Sequence, residues 1–160
     1  MVVESYIGRA FDYVAFGGAV APGEAQLAQS LFGAASTGEI ITGVQKLAQA
    51  WTIEFLTEIG TVPFQQTRGT RFMTNIRLGA FRTEYDVIIA FRFAAADAKK
   101  RLQNAETATT HNEERINDAI LKGLALDEDF LSLNVLIESL AFTTREVILP
   151  IPVLPIQPSL

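Results

Sequence analysis

Apolar residues recur at three- and four-residue steps from Val44 through Leu47, Ala48, Trp51, Phe55, Leu56 and Ile59, a spacing that places them on one face of a helix. That face must be buried. Thr42 followed by Gln45 reads as a capping box, and Gly60 supplies the positive φ at which helices commonly stop. Pro63 then makes Thr61 to Gln66 extended, and Arg68-Gly69-Thr70 forms a turn. Phe72 to Phe81 is mixed in pattern. A second capping box, Thr83 with Asp86, opens a helix running to about Ala105. Its inward positions are Tyr85, Ile88, Phe91, Ala95, Ala98 and Leu102, with Asp97, Lys99, Lys100 and Arg101 on the other side. Thr110 and Glu113 predict a third helix from Asn112 to about Gly123, with Ile116, Ala119 and Ile120 facing inward.

The period then changes from helical to alternating. Leu131, Leu133, Val135 and Ile137 occupy every second position, and after a turn near Leu140 to Thr143 so do Val147, Leu149, Ile151 and Val153. This predicts an antiparallel hairpin. Pro150, Pro152, Pro155 and Pro158 lack backbone donors, so the last strand should pair on one edge only and stay out of mid-sheet. Near the N-terminus, Phe11, Tyr13 and Ala15 alternate into a strand ending near Gly17-Gly18. Glu24 to Phe32 fits a helix or a strand, the strand being preferred, and Glu39 to Ile41 a further short strand. The expected fold is α+β: a single small domain over 1–160, with two to three helices packed on a mixed or antiparallel sheet and a C-terminal β-hairpin. Residues 39–153 form its core, between an N-terminal segment, 1–38, and a proline-rich tail, 154–160.

Composition narrows the function classes. A chain of 160 residues that is 49% hydrophobic and 19% charged can build one core. A net charge of −5 argues against a sequence-independent grip on nucleic acid, which needs clustered Lys and Arg. A protein partner fits better. There is no cysteine, and a lone His111 supplies neither a catalytic dyad nor a His-rich metal site. The first residues lack the basic region and apolar core of a signal peptide, and no apolar run reaches the roughly 18 residues of a membrane span. A soluble protein with no membrane role is expected.

The chemistry-bearing residues are few. Glu54 and Glu58, one helical turn apart, have the spacing of an acid/base pair but equally that of a solvated helix face, which is the preferred reading. Asp127, Glu128 and Asp129 read as an acidic turn, and His111 as a solvated loop residue. Gly69-Thr70 lacks the flanking glycines of a phosphate-binding loop. No catalytic, metal or cofactor residue is assigned. Arg68, Arg71, Arg77 and Arg82 gather between Gly60 and Thr83, interspersed with Phe64, Phe72 and Phe81. They serve solubility, or they recognise carboxylates on a partner.

The run LAQAWTIEFLTEIGTVPFQQTRGTRF resembles the baseplate wedge and sheath-initiator family of contractile, myovirus-type phage tails. In that family a helix ends in a leucine, leucine, threonine, x, x, glycine motif followed by an extended segment with a second glycine. Here the motif reads Phe55, Leu56, Thr57, Glu58, Ile59, Gly60, and the second glycine is Gly69. The element order that follows, a long helix, a shorter helix and a C-terminal hairpin, extends the likeness over about Glu39 to Val153. The family's Glu-Pro-Arg triplet before the penultimate strand is absent, its nearest counterpart being Glu128-Asp129-Phe130.

The resemblance implies a structural, non-enzymatic role in the virion. It places a copy of the chain in each wedge of a six-fold baseplate assembled in the host cytoplasm. The implied partners are the tail sheath protein, other wedge subunits, and hub or tube proteins. Thr57, Gly60, Pro63, Arg68, Gly69, Arg71, Arg77 and Arg82 are the expected interface residues, with Pro150 and Pro152 of the proline-rich end. Two alternatives are a peptidoglycan-degrading tail enzyme using Glu54 or Glu58 as acid, and another tail structural protein such as a terminator or sheath-related domain.

Overall fold

A computed structural model describes residues 12–13, 26–27, 40–127 and 129–153. Three two-residue strands, β1 (Asp12–Tyr13), β2 (Gln26–Leu27) and β3 (Ile40–Ile41), precede helix α1 (Gly43–Leu56). Helices α2 (Phe72–Arg77) and α3 (Glu84–Ala105) follow, then a single 3-10 turn at Asn112–Glu114. The chain closes with β4 (Ile116–Leu126), β5 (Phe130–Ser139) and β6 (Thr144–Pro152). The fold is α+β, with the helices packed against an antiparallel β4–β5–β6 sheet that ends in the expected hairpin. β1 pairs with β3 in a separate antiparallel ladder. The remainder of the N-terminal strands expected from the sequence lies outside the described residues.

Alternation in β5 and β6 does what it predicts. Leu131, Leu133, Val135 and Ile137 are fully enclosed beside Val147, Leu149 and Ile151, and face the helices. Against them α1 lays Leu47, Ala48, Trp51 and Phe55, and α3 lays Val87, Phe91, Ala94, Ala95 and Ala98. Trp51 stacks on Phe55 with ring centroids 4.7 Å apart, and Phe55 also meets Phe72 at 4.7 Å and Phe91 at 5.4 Å. Each such ring contributes roughly 1.5–3 kcal/mol through burial. This aromatic cluster ties α1, α2 and α3 together.

Several expectations are corrected. The predicted third helix is strand β4, paired antiparallel with β5 from Ile116 to Leu126. Bulges between Ile116 and Asp118 and between Leu121 and Gly123 shift its phase, so the positions packed on the core are Ile116, Ala119, Leu121, Leu124 and Leu126. Bulges thus hide a strand behind an irregular spacing. Ile120, expected inward, is 40% exposed, as is Tyr85 of α3 at 68%. The box at Thr110 is replaced by His111, whose side chain accepts from Glu113 N–H.

β6 is also not an edge strand, since it lies between β5 and β2. The parallel pairing with β2 covers only Val147 and Ile148, ahead of both prolines. Val153 N–H donates to Asp129 O at 2.9 Å, so by the alternation of an antiparallel ladder the nitrogens of Pro150 and Pro152 point away from β5. The prolines therefore break no bond to β5. Finally, α1 ends at Leu56 instead of reaching Gly60, and Thr42 makes no side-chain cap.

Candidate functional site

The segment after α1 folds back on itself, and residues 61–66, expected to be extended, form successive turns instead, with Gln65 N–H donating to Val62 O and Arg68 N–H to Gln65 O. Thr57 N–H makes the last helical bond, to Ile53 O at 3.0 Å, and the chain then turns extended at φ −70°, ψ 125°. Thr70 N–H donates to Thr57 O at 2.8 Å and Ile59 N–H to Thr70 O at 3.0 Å, a parallel bridge that closes the loop between them. This non-local pairing stops the helix one turn before the glycine. Thr70 Oγ1 also donates to Phe55 O at 2.7 Å, and Thr57 Oγ1 to Ile53 O at 2.6 Å, satisfying carbonyls at the helix end.

Glu54 is the centre of the arrangement. It is buried, and its Oε1 accepts from Gly69 N–H at 2.8 Å while Oε2 accepts from Arg68 Nε at 3.1 Å. Arg101 of α3 adds an ion pair at 3.5 Å. The preferred reading of Glu54 as a solvated helix-face acid is therefore overturned: one carboxylate holds the returning loop and α3 against α1. Glu58 is not its partner, because the helix has ended between them. Glu58 accepts from Thr74 Oγ1 at 2.8 Å and pairs with Arg77. The hydrogen bond from Arg77, followed by that from Thr74, holds its carboxyl below the ordinary carboxylate value.

Gly69 explains the second glycine of the motif. At φ +94°, a Cβ there would lie 2.3 Å from Thr57 O, a distance no side chain tolerates. The motif's threonine and its second glycine thus face each other across the bridge. Gly60, at φ +86°, would bring an added Cβ no closer than 3.8 Å to Gln66 Oε1, so only the turn requires glycine there.

The sequence-predicted interface residues separate into two groups. Gly69 is buried and Thr57 is half-buried, so these two shape the loop. Gly60, Pro63, Arg71, Arg77 and Arg82 are exposed, and the Arg68 side chain is 43% exposed while it holds Glu54. Arg71 and Arg82 make no ion pair among the described residues. Pro152 is exposed at the far end of the sheet, with Pro150 half-buried.

Sequence reasoning missed two surfaces. Tyr85, Ile89 and Phe93 form an exposed row along α3 at four-residue spacing, legible in the sequence only once the opposite face is known to be the buried one. A groove of about 570 Å³ separates α3 from β4, with Arg92 on one wall and the Lys99–Asp118 pair, 3.6 Å apart, across it. The outer edge of β4 is blunted along its first half. Ile116 N–H donates to Glu106 Oε1 and Ala119 N–H to Asp118 Oδ1, each at 3.0 Å, which occupies donors that an added strand would need.

Among the described residues no group of three or more His, Cys, Asp or Glu is placed to hold a metal ion, and no helix is long and apolar enough to cross a membrane. No protein-family model, curated protein or solved structure matches this chain. The site is thus characterised by its own geometry: a carboxylate-clamped loop that projects arginines and apolar side chains.

Proposed function

We propose that this chain is a structural component of a contractile phage tail baseplate, a wedge protein on which sheath assembly begins beside the tube and hub. The observation that carries the reading is the contact between Thr57 and Gly69, because it gives the residues of the resembling motif one shared physical task. Threonine supplies the carbonyl and helix-end hydroxyl, and glycine a backbone that passes that carbonyl where any Cβ would lie only 2.3 Å from it. The result is a stiff loop on a scaffold of buried aromatics, suited to a fixed position in an assembly. Arg71, Arg77 and Arg82 then offer guanidinium groups to neighbouring carboxylates. β4 replaces the shorter helix of the expected element order, so the likeness rests on the motif and on the long helix and hairpin around it.

The enzymatic alternative draws no support from the carboxylates. Both oxygens of Glu54 are engaged inside the protein, and Glu58, held below its ordinary value, is ionised at neutral pH and unsuited to donating a proton. The test is assembly. Virions lacking the chain should carry tubes without sheath, and the purified protein should bind sheath or wedge proteins of the same tail. Normally sheathed tails in its absence, with no binding, would refute the reading, and a position elsewhere in a tail reconstruction would favour a terminator or sheath-related protein.

A further inference from the structure

Phe64 has a backbone φ of +64°, and its side chain is fully exposed, at 102%. A residue with a Cβ enters this left-handed region at a cost, and an exposed ring gains nothing from burial to offset it. The loop around it is nonetheless firmly held. Thr61 N–H and Oγ1 both reach Glu58 O, at 3.2 and 2.6 Å. Gln65 N–H donates to Val62 O at 3.2 Å and Arg68 N–H to Gln65 O at 2.9 Å. Pro63 fixes the φ immediately before the ring. At the base, Glu54 and the Thr57–Thr70 bridge close the loop.

Backbone strain of this kind persists where the surroundings over-determine it, and a ring held out on a stiff loop has met its ordering cost in folding. Most of the energy of a protein interface comes from a few residues seated in well-packed pockets, and aromatic side chains and arginines are enriched at such interfaces. The surrounding charge is one-sided: from Ile59 to Thr83 there are four arginines and no acidic residue, in a chain of net charge −5. Glu54 and Glu58 engage Arg68 and Arg77 from the helix side, while Arg71 lies exposed at the foot of the loop.

We infer that Phe64 is the anchor by which this loop engages a protein partner, its ring entering an apolar socket whose rim carries carboxylates facing Arg71 and the exposed sides of Arg68 and Arg77. The inference rests on the baseplate reading for the source of that partner. A bilayer fits less well, since one ring buries little apolar area and a chain of net charge −5 is repelled by anionic lipid.

The experiment compares wild type with Phe64→Asn, asparagine being tolerant of the left-handed region but lacking the ring, and with Arg71→Glu. Thermal melts should give Phe64→Asn a Tm equal to or above wild type. Its affinity for purified sheath and wedge proteins of the same tail, measured by calorimetry, should fall at least tenfold, and Arg71→Glu should weaken binding in a salt-dependent way. If wild type binds and Phe64→Asn binds equally well, the anchor falls while the baseplate reading stands. If wild type binds no tail protein, both fall. Phe64-dependent pelleting with phosphatidylcholine–phosphatidylserine vesicles, or Phe64-dependent dimerisation in sedimentation, would replace the socketed partner with lipid or a second copy.

Discussion

Gly69→Ala and Gly60→Ala make a matched pair of perturbations, because both glycines sit at positive φ, +94° and +86°, yet only one has a backbone atom against it. The left-handed conformation alone costs a residue with a Cβ about 1–2 kcal/mol. At Gly60 the nearest atom to an added Cβ is Gln66 Oε1 at 3.8 Å, ordinary contact with a flexible side chain. Gly60→Ala should therefore lose about 1–2 kcal/mol and nothing further. At Gly69 the Cβ would lie 2.3 Å from Thr57 O and 2.8 Å from Thr57 C, so the bridge must open. Opening it gives up the 2.8 Å bond from Thr70 N–H to Thr57 O, worth about 0.5–1.5 kcal/mol net, and strains the charge-assisted bond from Gly69 N–H to Glu54, worth about 1.5–3 kcal/mol. The expected loss for Gly69→Ala is about 3–5 kcal/mol. Urea unfolding followed by fluorescence would read both variants, since Trp51 is the sole tryptophan and is fully buried on Phe55. Equal losses at the two glycines would refute the steric account of the motif.

Three further outcomes follow from the same geometry. Glu54→Gln keeps an acceptor for Gly69 N–H but removes the charge that Arg68 and Arg101 face; both arginines are partly exposed and can turn to solvent, so the loss should be about 1–2 kcal/mol, with faster amide exchange at Gly69 than at core strand amides. Thr83→Ala removes the side chain that caps α3 by accepting from Asp86 N–H, and should cost about 1 kcal/mol in denaturant titration, whereas Thr42→Ala, which loses no cap bond, should be near neutral. Glu58 is held below its ordinary value of 4.5 by Arg77 and Thr74, so its contribution to stability is present above about that pH and is lost as pH falls through the lowered value of the folded state. Wild type should accordingly lose more stability than Glu58→Gln on acidification below that point, and parallel pH profiles would count against the pairing.

Local signals fixed those parts of the molecule whose partners lie close in sequence. The Thr83–Asp86 box set the start of α3, because both hydrogen bonds of the cap join residues three apart. Strict alternation in β5 and β6 chose which side chains face the core, since a strand buried on one face has only one register that hides Leu133 and Val135. Positive φ at Gly60 was expected, but from a helix end that the structure places at Leu56, so the turn and not the helix requires it.

Tertiary structure decided the rest, wherever a residue's partner lies far along the chain. β4 was hidden because its two bulges space the inward residues at 116, 119, 121, 124 and 126, a sequence of steps that no single period describes and whose opening mimics a helix; only pairing with β5 makes it a strand. The end of α1 was set by Thr70, whose backbone draws Thr57 and Ile59 out of helical conformation. Glu54 looked like any surface acid until Gly69, Arg68 and Arg101 converged on it from 15, 14 and 47 residues away. A helical wheel assigns Glu54 to a face, but a buried charge is stable only with its partners assembled around it, and those are supplied by the fold.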